Sequence, residues 1–137
     1  MKLSNVLSGL AASMLASASL TGCIIVDGDD HSGYGSITVA LTIDGRADRF
    51  QCFDYDVDGF VVSVVDEAGF VTEASADCDD LGLTLFDLPA GYYDVDTWLV
   101  DFDGFPRSDI VRHEFVDVYG GTDTLVRVDF PWTWIDP

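Results

Sequence analysis

Positive charge is what this sequence has least of. One lysine, Lys2, and five arginines stand against 25 acids in 137 residues. A nucleic-acid partner is excluded on that ground, because phosphate binding needs a basic face. Direct contact with anionic lipid headgroups is disfavoured in the same way. Histidine is nearly absent: His31 and His113 are the only two, and neither completes a zinc signature or a Cys-His pair. His113 sits in an alternating stretch and reads as an exposed filler rather than a base. No serine occupies a nucleophile elbow. Carboxylates are so numerous that their spacing alone identifies no catalytic pair. The chain is therefore expected not to be an enzyme, and a small envelope enzyme is the last alternative. No helical periodicity is found beyond residue 22, and no apolar run reaches the about 20 residues of a membrane span.

What is present begins at the N-terminus. Lys2 makes a positive start, and Val6 to Leu20 is an apolar stretch diluted by Ser8, Ser13, Ser17 and Ser19. This is the layout of a secretory signal. It ends in Leu20-Thr21-Gly22-Cys23, which resembles the bacterial lipobox at all four positions. The resemblance implies a signal peptide over 1–22 and lipidation of Cys23. It also implies a membrane partner reached through that lipid, since two or three acyl chains suffice for stable anchoring. Ile24 after the cysteine, by the same resemblance, points to the outer membrane of the cell envelope. Residues 23–35, rich in Asp and Gly, read as the lipidated start and a flexible acidic tether.

Removing 1–22 leaves 115 residues, enough for one domain, expected over 36–137. It also removes the only lysine. The formal charge of the remainder is −20, and 22 of its acids are Asp. Such a surface resembles proteins of saline habitats, where counterions screen self-repulsion. Divalent-cation binding and plain solubility are the other readings. Cys52 and Cys78 are left as an even pair in an exported chain and are expected to form a disulfide. It would close a loop worth about 3 kcal/mol in the chain-entropy model.

From Ser36 the hydrophobic period is two. Ile37, Val39, Leu41 and Ile43 alternate with polar partners and predict a half-buried strand. A second strand, 57–65, is apolar on both faces and is expected to be central. Asp66-Glu67-Ala68-Gly69 predicts a hairpin turn into a third strand, 70–76. Leu81, Leu83 and Leu85 mark a fourth. A fifth, 92–101, carries Tyr93, Val95, Thr97 and Leu99 on one face. Strands over 109–118 and 122–130 complete seven, the last with Thr124, Val126, Val128 and Phe130 facing in. Seven short strands with regular turns predict an all-β, antiparallel β-sandwich, transthyretin-like or immunoglobulin-like in kind.

The run Leu85-Phe86-Asp87-Leu88-Pro89-Ala90-Gly91-Tyr92-Tyr93-Asp94-Val95 resembles the L-x-x-L-P-A-G-x-Y-x-V turn of transthyretin-like sandwiches, including carboxypeptidase regulatory-like domains. The resemblance implies that Gly91 allows the turn and that Tyr93 packs between the sheets. Such domains are mostly stalks, spacers or accessory binding modules.

Two site candidates remain. Asp54-Tyr55-Asp56-Val57-Asp58-Gly59 matches the opening of a calcium loop, with Asp54, Asp56 and Asp58 as ligands. The closing acid is missing, since Val65 stands there. The competing reading is an alternating strand with the three carboxylates on its wet face. Asp101 and Asp103 repeat the theme and read better as a plain turn. Trp132 and Trp134 would share one side of an extended C-terminal tail and stack on a sugar or a partner. Alternatively they cover an edge of the sandwich. The expected function is a lipid-anchored envelope binding or structural module with a protein or glycan partner. A calcium- or carbohydrate-binding accessory domain is the alternative, with Ca²⁺ the only cofactor considered.

Overall fold

The structure is a computed structural model that describes residues 32–136. The expected signal peptide, Cys23 and the tether up to His31 lie outside the described residues.

Seven strands form: β1 (Tyr34–Ile43), β2 (Gly59–Asp66), β3 (Val71–Asp77), β4 (Gly82–Pro89), β5 (Gly91–Val100), β6 (Val111–Val118) and β7 (Asp123–Phe130); all lie within about two residues of their expected bounds except β4, which runs on past Leu85 to Pro89. They make two sheets, in the orders β4-β1-β7 and β3-β2-β5-β6. The fold is a β-sandwich. The inner faces are the alternating residues. Ile37, Val39, Leu41 and Ile43 of β1 meet Phe60, Val62 and Val64 of β2, Val95 and Leu99 of β5, and Val128 and Phe130 of β7. Strand β2 lies between β3 and β5, as its two apolar faces predict.

One sheet departs from the antiparallel expectation. β1 and β7 run parallel, in register from Ser36–Asp123 to Ile43–Phe130. A period of two identifies a strand but not its direction. β7 follows β6 across from the other sheet, so no hairpin fixes its sense relative to β1. The four-stranded sheet is antiparallel throughout.

The β4–β5 turn behaves as its resemblance implies. Gly91 takes φ 152°, a value side chains with a Cβ rarely adopt. Tyr93 is buried between the sheets, and its hydroxyl donates to the Pro89 carbonyl at 2.5 Å. The flanking strands are bulged. Asp87 in β4 and Phe115 in β6 take φ 56° and 57°, and pairing shifts by one residue beside each. The extra residue in β6 turns Phe115 outward, and the one in β4 lets Leu88 face the core as Leu85 does, with Phe86 exposed between them.

Two turns are built alike. The Asp66 carboxylate accepts the N–H of Ala68 and Phe70 at 2.9 and 2.8 Å. Asp101 accepts those of Asp103 and Phe105 at 3.0 and 2.9 Å. Each turn ends on a glycine with positive φ, Gly69 or Gly104. The sequence Asp-x-x-Gly-Phe thus encodes a side-chain-closed turn, and Asp101 belongs to it as expected.

A single helical turn, α1 (Phe50–Asp54), precedes β2 where no helix was expected. Arg49 before it makes no side-chain cap, and the Asp48 carboxylate accepts the Phe50 N–H at 2.9 Å. Cys52 of α1 is bonded to Cys78, which opens a 3-10 turn at Cys78–Asp80, with both sulfurs buried. This is the expected disulfide. It clamps the segment before β2 to the segment before β4.

Candidate functional site

The chain enters at one end of the sandwich. The Gly33 carbonyl accepts the Ala90 N–H, and the Tyr34 carbonyl accepts that of Gly121, both at 2.9 Å. That end gathers the β2–β3, β4–β5 and β6–β7 turns. Tyr34 and Gly35 already pair in β1, so the ordered domain starts two residues inside the expected tether. The opposite end gathers α1, the disulfide, the β5–β6 connection and the C-terminal segment.

Aromatic rings stand in solvent at both ends: Tyr34, Tyr92 and Tyr119 are exposed toward the entry end, where Tyr92 and Phe115 line one hollow with Asp66, Glu67 and Asp94, and a second group stands at the far end. Seven of the nine phenylalanines of the chain are exposed, so the core does not account for the aromatic content. Phe50, Phe53, Phe102 and Phe105 lie at the far end, with Phe53 and Phe102 at 88% and 85% exposure. Trp132 and Trp134 join them at 58% and 44%. The remaining exposed phenylalanines, Phe70, Phe86 and Phe115, are scattered over the hairpin and the two bulges.

The tail is not extended. Trp132–Trp134 is a 3-10 turn. Residues two apart in a three-residue turn point in different directions, so the two indoles form no common platform. Asp109 and Asp136 hold the tail through backbone bonds to Trp134 and Arg107 at 3.1 and 2.8 Å, and Ser108 bridges to Ile135. Trp132 then lines a cleft of about 610 Å³ with Asp54, Tyr55, Asp56, Arg107 and Asp136. Arg107 also donates to the Tyr55 carbonyl at 3.4 Å, joining α1 to the β5–β6 connection. Beside it lies a smaller hollow of about 160 Å³. Phe53, Phe102, Asp56 and Asp58 line it, so Asp56 borders both.

Asp54, Asp56 and Asp58 are thus on one end but not on one alternating strand. Asp54 closes α1, Asp56 takes φ 53°, and Asp58 precedes β2. Among the described residues no group of three or more His, Cys, Asp or Glu side chains is gathered closely enough to hold a metal ion. As placed, these three carboxylates line the hollows and form no coordination set.

Trp98 lies elsewhere, on the outer face of β5. It borders a shallow depression of about 730 Å³ with Pro106, Asp109 and Ile110. On the same face Arg112 makes two bonds to Asp96, at 2.7 and 2.6 Å. That carboxylate holds the guanidinium protonated above its ordinary range. His113 is not an exposed filler. It is half-buried, it pairs with the core residue Val95, and its Nδ1 is buried with no hydrogen-bond partner. The bulge at Phe115 reverses the facing of β6, which the alternation alone could not reveal.

Sequence reasoning missed Phe53, Tyr55, Phe102, Arg107 and Asp136. A usable signal was present: Phe102 and Phe105 lie within and just after an Asp-x-x-Gly turn, where no core position exists to take them.

No family model matches the chain, and no curated protein matches it in sequence. Among solved structures it is similar to a crystal structure from Bacteroides thetaiotaomicron described as "putative polysaccharide binding proteins". The TM-score is 0.41 at 12% identity, covering 67% of this chain and 46% of that one. The present chain therefore corresponds to less than half of that protein.

Proposed function

We propose that this protein is a non-catalytic binding module of the cell envelope, held by a lipid on Cys23 and presenting its far end to a partner. The observation that carries this reading is the pair of adjoining hollows at the end opposite the point of chain entry, lined by Phe53 and Phe102 and by Tyr55 and Trp132 and sharing Asp56, with Phe50, Phe105 and Trp134 exposed on the same end. Exposed aromatics that serve no core are what recognition surfaces use. The arrangement suits an anchored protein. The ten residues from Cys23 to Ser32 reach at most about 35 Å when extended. Ten-residue strands add about 33 Å, so the far end stands well clear of a bilayer.

Photo-crosslinking in cells tests this. A photoreactive residue replaces Phe53 or Phe102 at the far end, or Phe70 or Phe86 elsewhere. Discrete adducts are expected from the first pair only. Adducts confined to the second pair, or none from any position, refute the reading. Carbohydrate is the second reading for the same end, favoured by Trp132 and Tyr55 lining one cleft with carboxylates able to accept sugar hydroxyls.

A further inference from the structure

The far end carries two adjoining hollows of the same make. Each combines exposed rings with carboxylates. In the smaller, the charged residues are Asp56 and Asp58, and the rings are Phe53 and Phe102. In the larger, Asp54, Asp56 and Asp136 outnumber the single cation Arg107, and the rings are Tyr55 and Trp132. Aromatic faces attract cations through their quadrupole, and carboxylates do so by charge. A site with both favours a cationic group over a neutral one.

The rest of the molecule reinforces that preference. The chain beyond residue 22 carries a formal −20. Such a field raises the encounter rate of a positively charged partner and slows that of a negative one. A second copy of this chain is disfavoured, since it would bring an equal negative charge against the same face. A neutral glycan gains nothing from the field.

From these observations we infer that the two hollows bind a basic segment of a partner protein, with neighbouring lysine or arginine side chains seated against Phe53–Phe102 and Tyr55–Trp132. The inference rests on the far end being the binding end. It names the chemistry of the partner, which that reading leaves open. Asp56, bordering both hollows, is the shared counter-charge.

The test uses the full chain and three probes: a decapeptide alternating lysine with glycine, its glutamate counterpart, and a neutral glucan oligosaccharide. Calorimetric titration follows each at about 50 mM and about 500 mM salt, between which the Debye length shrinks about threefold. The lysine peptide is expected to bind at low salt and to weaken about tenfold or more at high salt. Phe53→Ala with Phe102→Ala, and Asp56→Asn with Asp58→Asn, should each weaken it about fivefold or more. Asparagine tolerates the backbone at position 56, and melting temperatures check that the variants fold. Glu73→Gln with Glu114→Gln, exposed on β3 and β6 and bordering neither hollow, should leave affinity within about twofold.

Equal losses from both acidic pairs would mean diffuse attraction and would overturn the inference. So would failure of the lysine peptide to bind at low salt. Salt-independent binding of the oligosaccharide, lost on Trp132→Ala or Phe53→Ala, would overturn the basic partner while leaving the far end as the binding end. Crosslinks found only away from Phe53 and Phe102 would remove the underlying reading itself.

Discussion

Removing the disulfide should damage the far end more than the sandwich. The perturbation is Cys52→Ala with Cys78→Ala. The two cysteines are separated by 26 residues. A loop of that size is worth about 3.5 kcal/mol at 25 °C in the chain-entropy model. Both cysteines are almost fully buried, so the small void left by two alanines adds about 1 kcal/mol. For about 105 ordered residues the unfolding entropy is about 220 cal/mol/K, so the loss corresponds to about 15–20 °C in melting temperature. The local effect follows from α1. It spans five residues, has only the Asp48 carboxylate on its first N–H and is far too short to hold itself together. Apart from the bridge, the backbone bond from Val57 to the Cys52 carbonyl, at 2.8 Å, and the Arg107 contact at Tyr55 are among its few ties. Calorimetry measures the global term, and hydrogen exchange resolves residues 50–58. The expected result is a melting temperature lowered by at least about 10 °C, with protection at Tyr55 and Val57 lost well below the global transition. A shift under about 4 °C, or protection at 55–57 unchanged in the double variant, would refute the claim that the bridge holds this end.

Four further outcomes follow from named contacts. Asp66→Glu should cost about 1 kcal/mol, because the longer side chain no longer reaches the Ala68 and Phe70 N–H groups, whereas Asp66→Asn should cost less; urea unfolding compares them. Tyr93 is held above its ordinary pKa of 10, first by burial and then by the Asp66 charge. Its contribution is full below pH 10 and is lost as pH rises through the folded value, so Tyr93→Phe should flatten the alkaline fall in stability seen in a pH series of melts. Cys23→Ser should yield a soluble or unprocessed protein that takes up no radiolabelled palmitate, because that thiol is the expected attachment point of the acyl chains; fractionation and labelling check it, and a variant that stays labelled and membrane-bound refutes it. Raising sodium chloride from about 10 mM to about 1 M should raise the melting temperature, because the Debye length falls from about 30 to about 3 Å; calcium chloride at matched ionic strength should add a saturable shift only if it finds a site.

Much of the fold was legible because period two is a local signal. The inward faces of β1, β2, β5 and β7 follow directly from alternation, and Asp-Gly and Gly-Gly pairs place their ends. What escaped is non-local or depends on a single extra residue. The parallel pairing of β1 with β7 depends on where β6 delivers the chain. The bulge at Phe115 turns His113 from solvent to the half-buried inner face with no change in composition. Helix α1 is too short to show a period, and its position depends on the bridge to Cys78. The candidate site was legible only as separate residues. Asp54, Asp56 and Asp58 read as a ligand set, and Trp132 with Trp134 as a platform. The structure instead deals them to two hollows, beside Phe53 and Phe102, whose exposure no periodicity announces.

Part of the excess of Asp over Glu has a structural source that the total charge conceals. Asp48, Asp66, Asp94, Asp101 and Asp129 each accept a backbone N–H, from Phe50, Ala68 and Phe70, Phe115, Asp103 and Phe105, and Gly45. Most of these bonds close turns within two to four residues, a reach that suits the one-carbon stem of Asp and not the two-carbon stem of Glu. Asp123 and Asp129 also accept hydroxyls from Thr38 and Thr42, lacing β7 to β1 across the outer face of the mixed sheet. Salt adaptation would call for negative charge of either kind, so it does not explain 22 Asp against three Glu. Turn closure and strand lacing account for six of them, Asp48, Asp66, Asp94, Asp101, Asp123 and Asp129. The acids at Asp54, Asp56, Asp58 and Asp136 stand apart from that scheme, because they border hollows lined by exposed rings. Neutralising the lacing acids should therefore cost stability, and neutralising the hollow acids should cost binding. A chain in which both sets behaved alike would owe its charge to its surroundings rather than to its architecture.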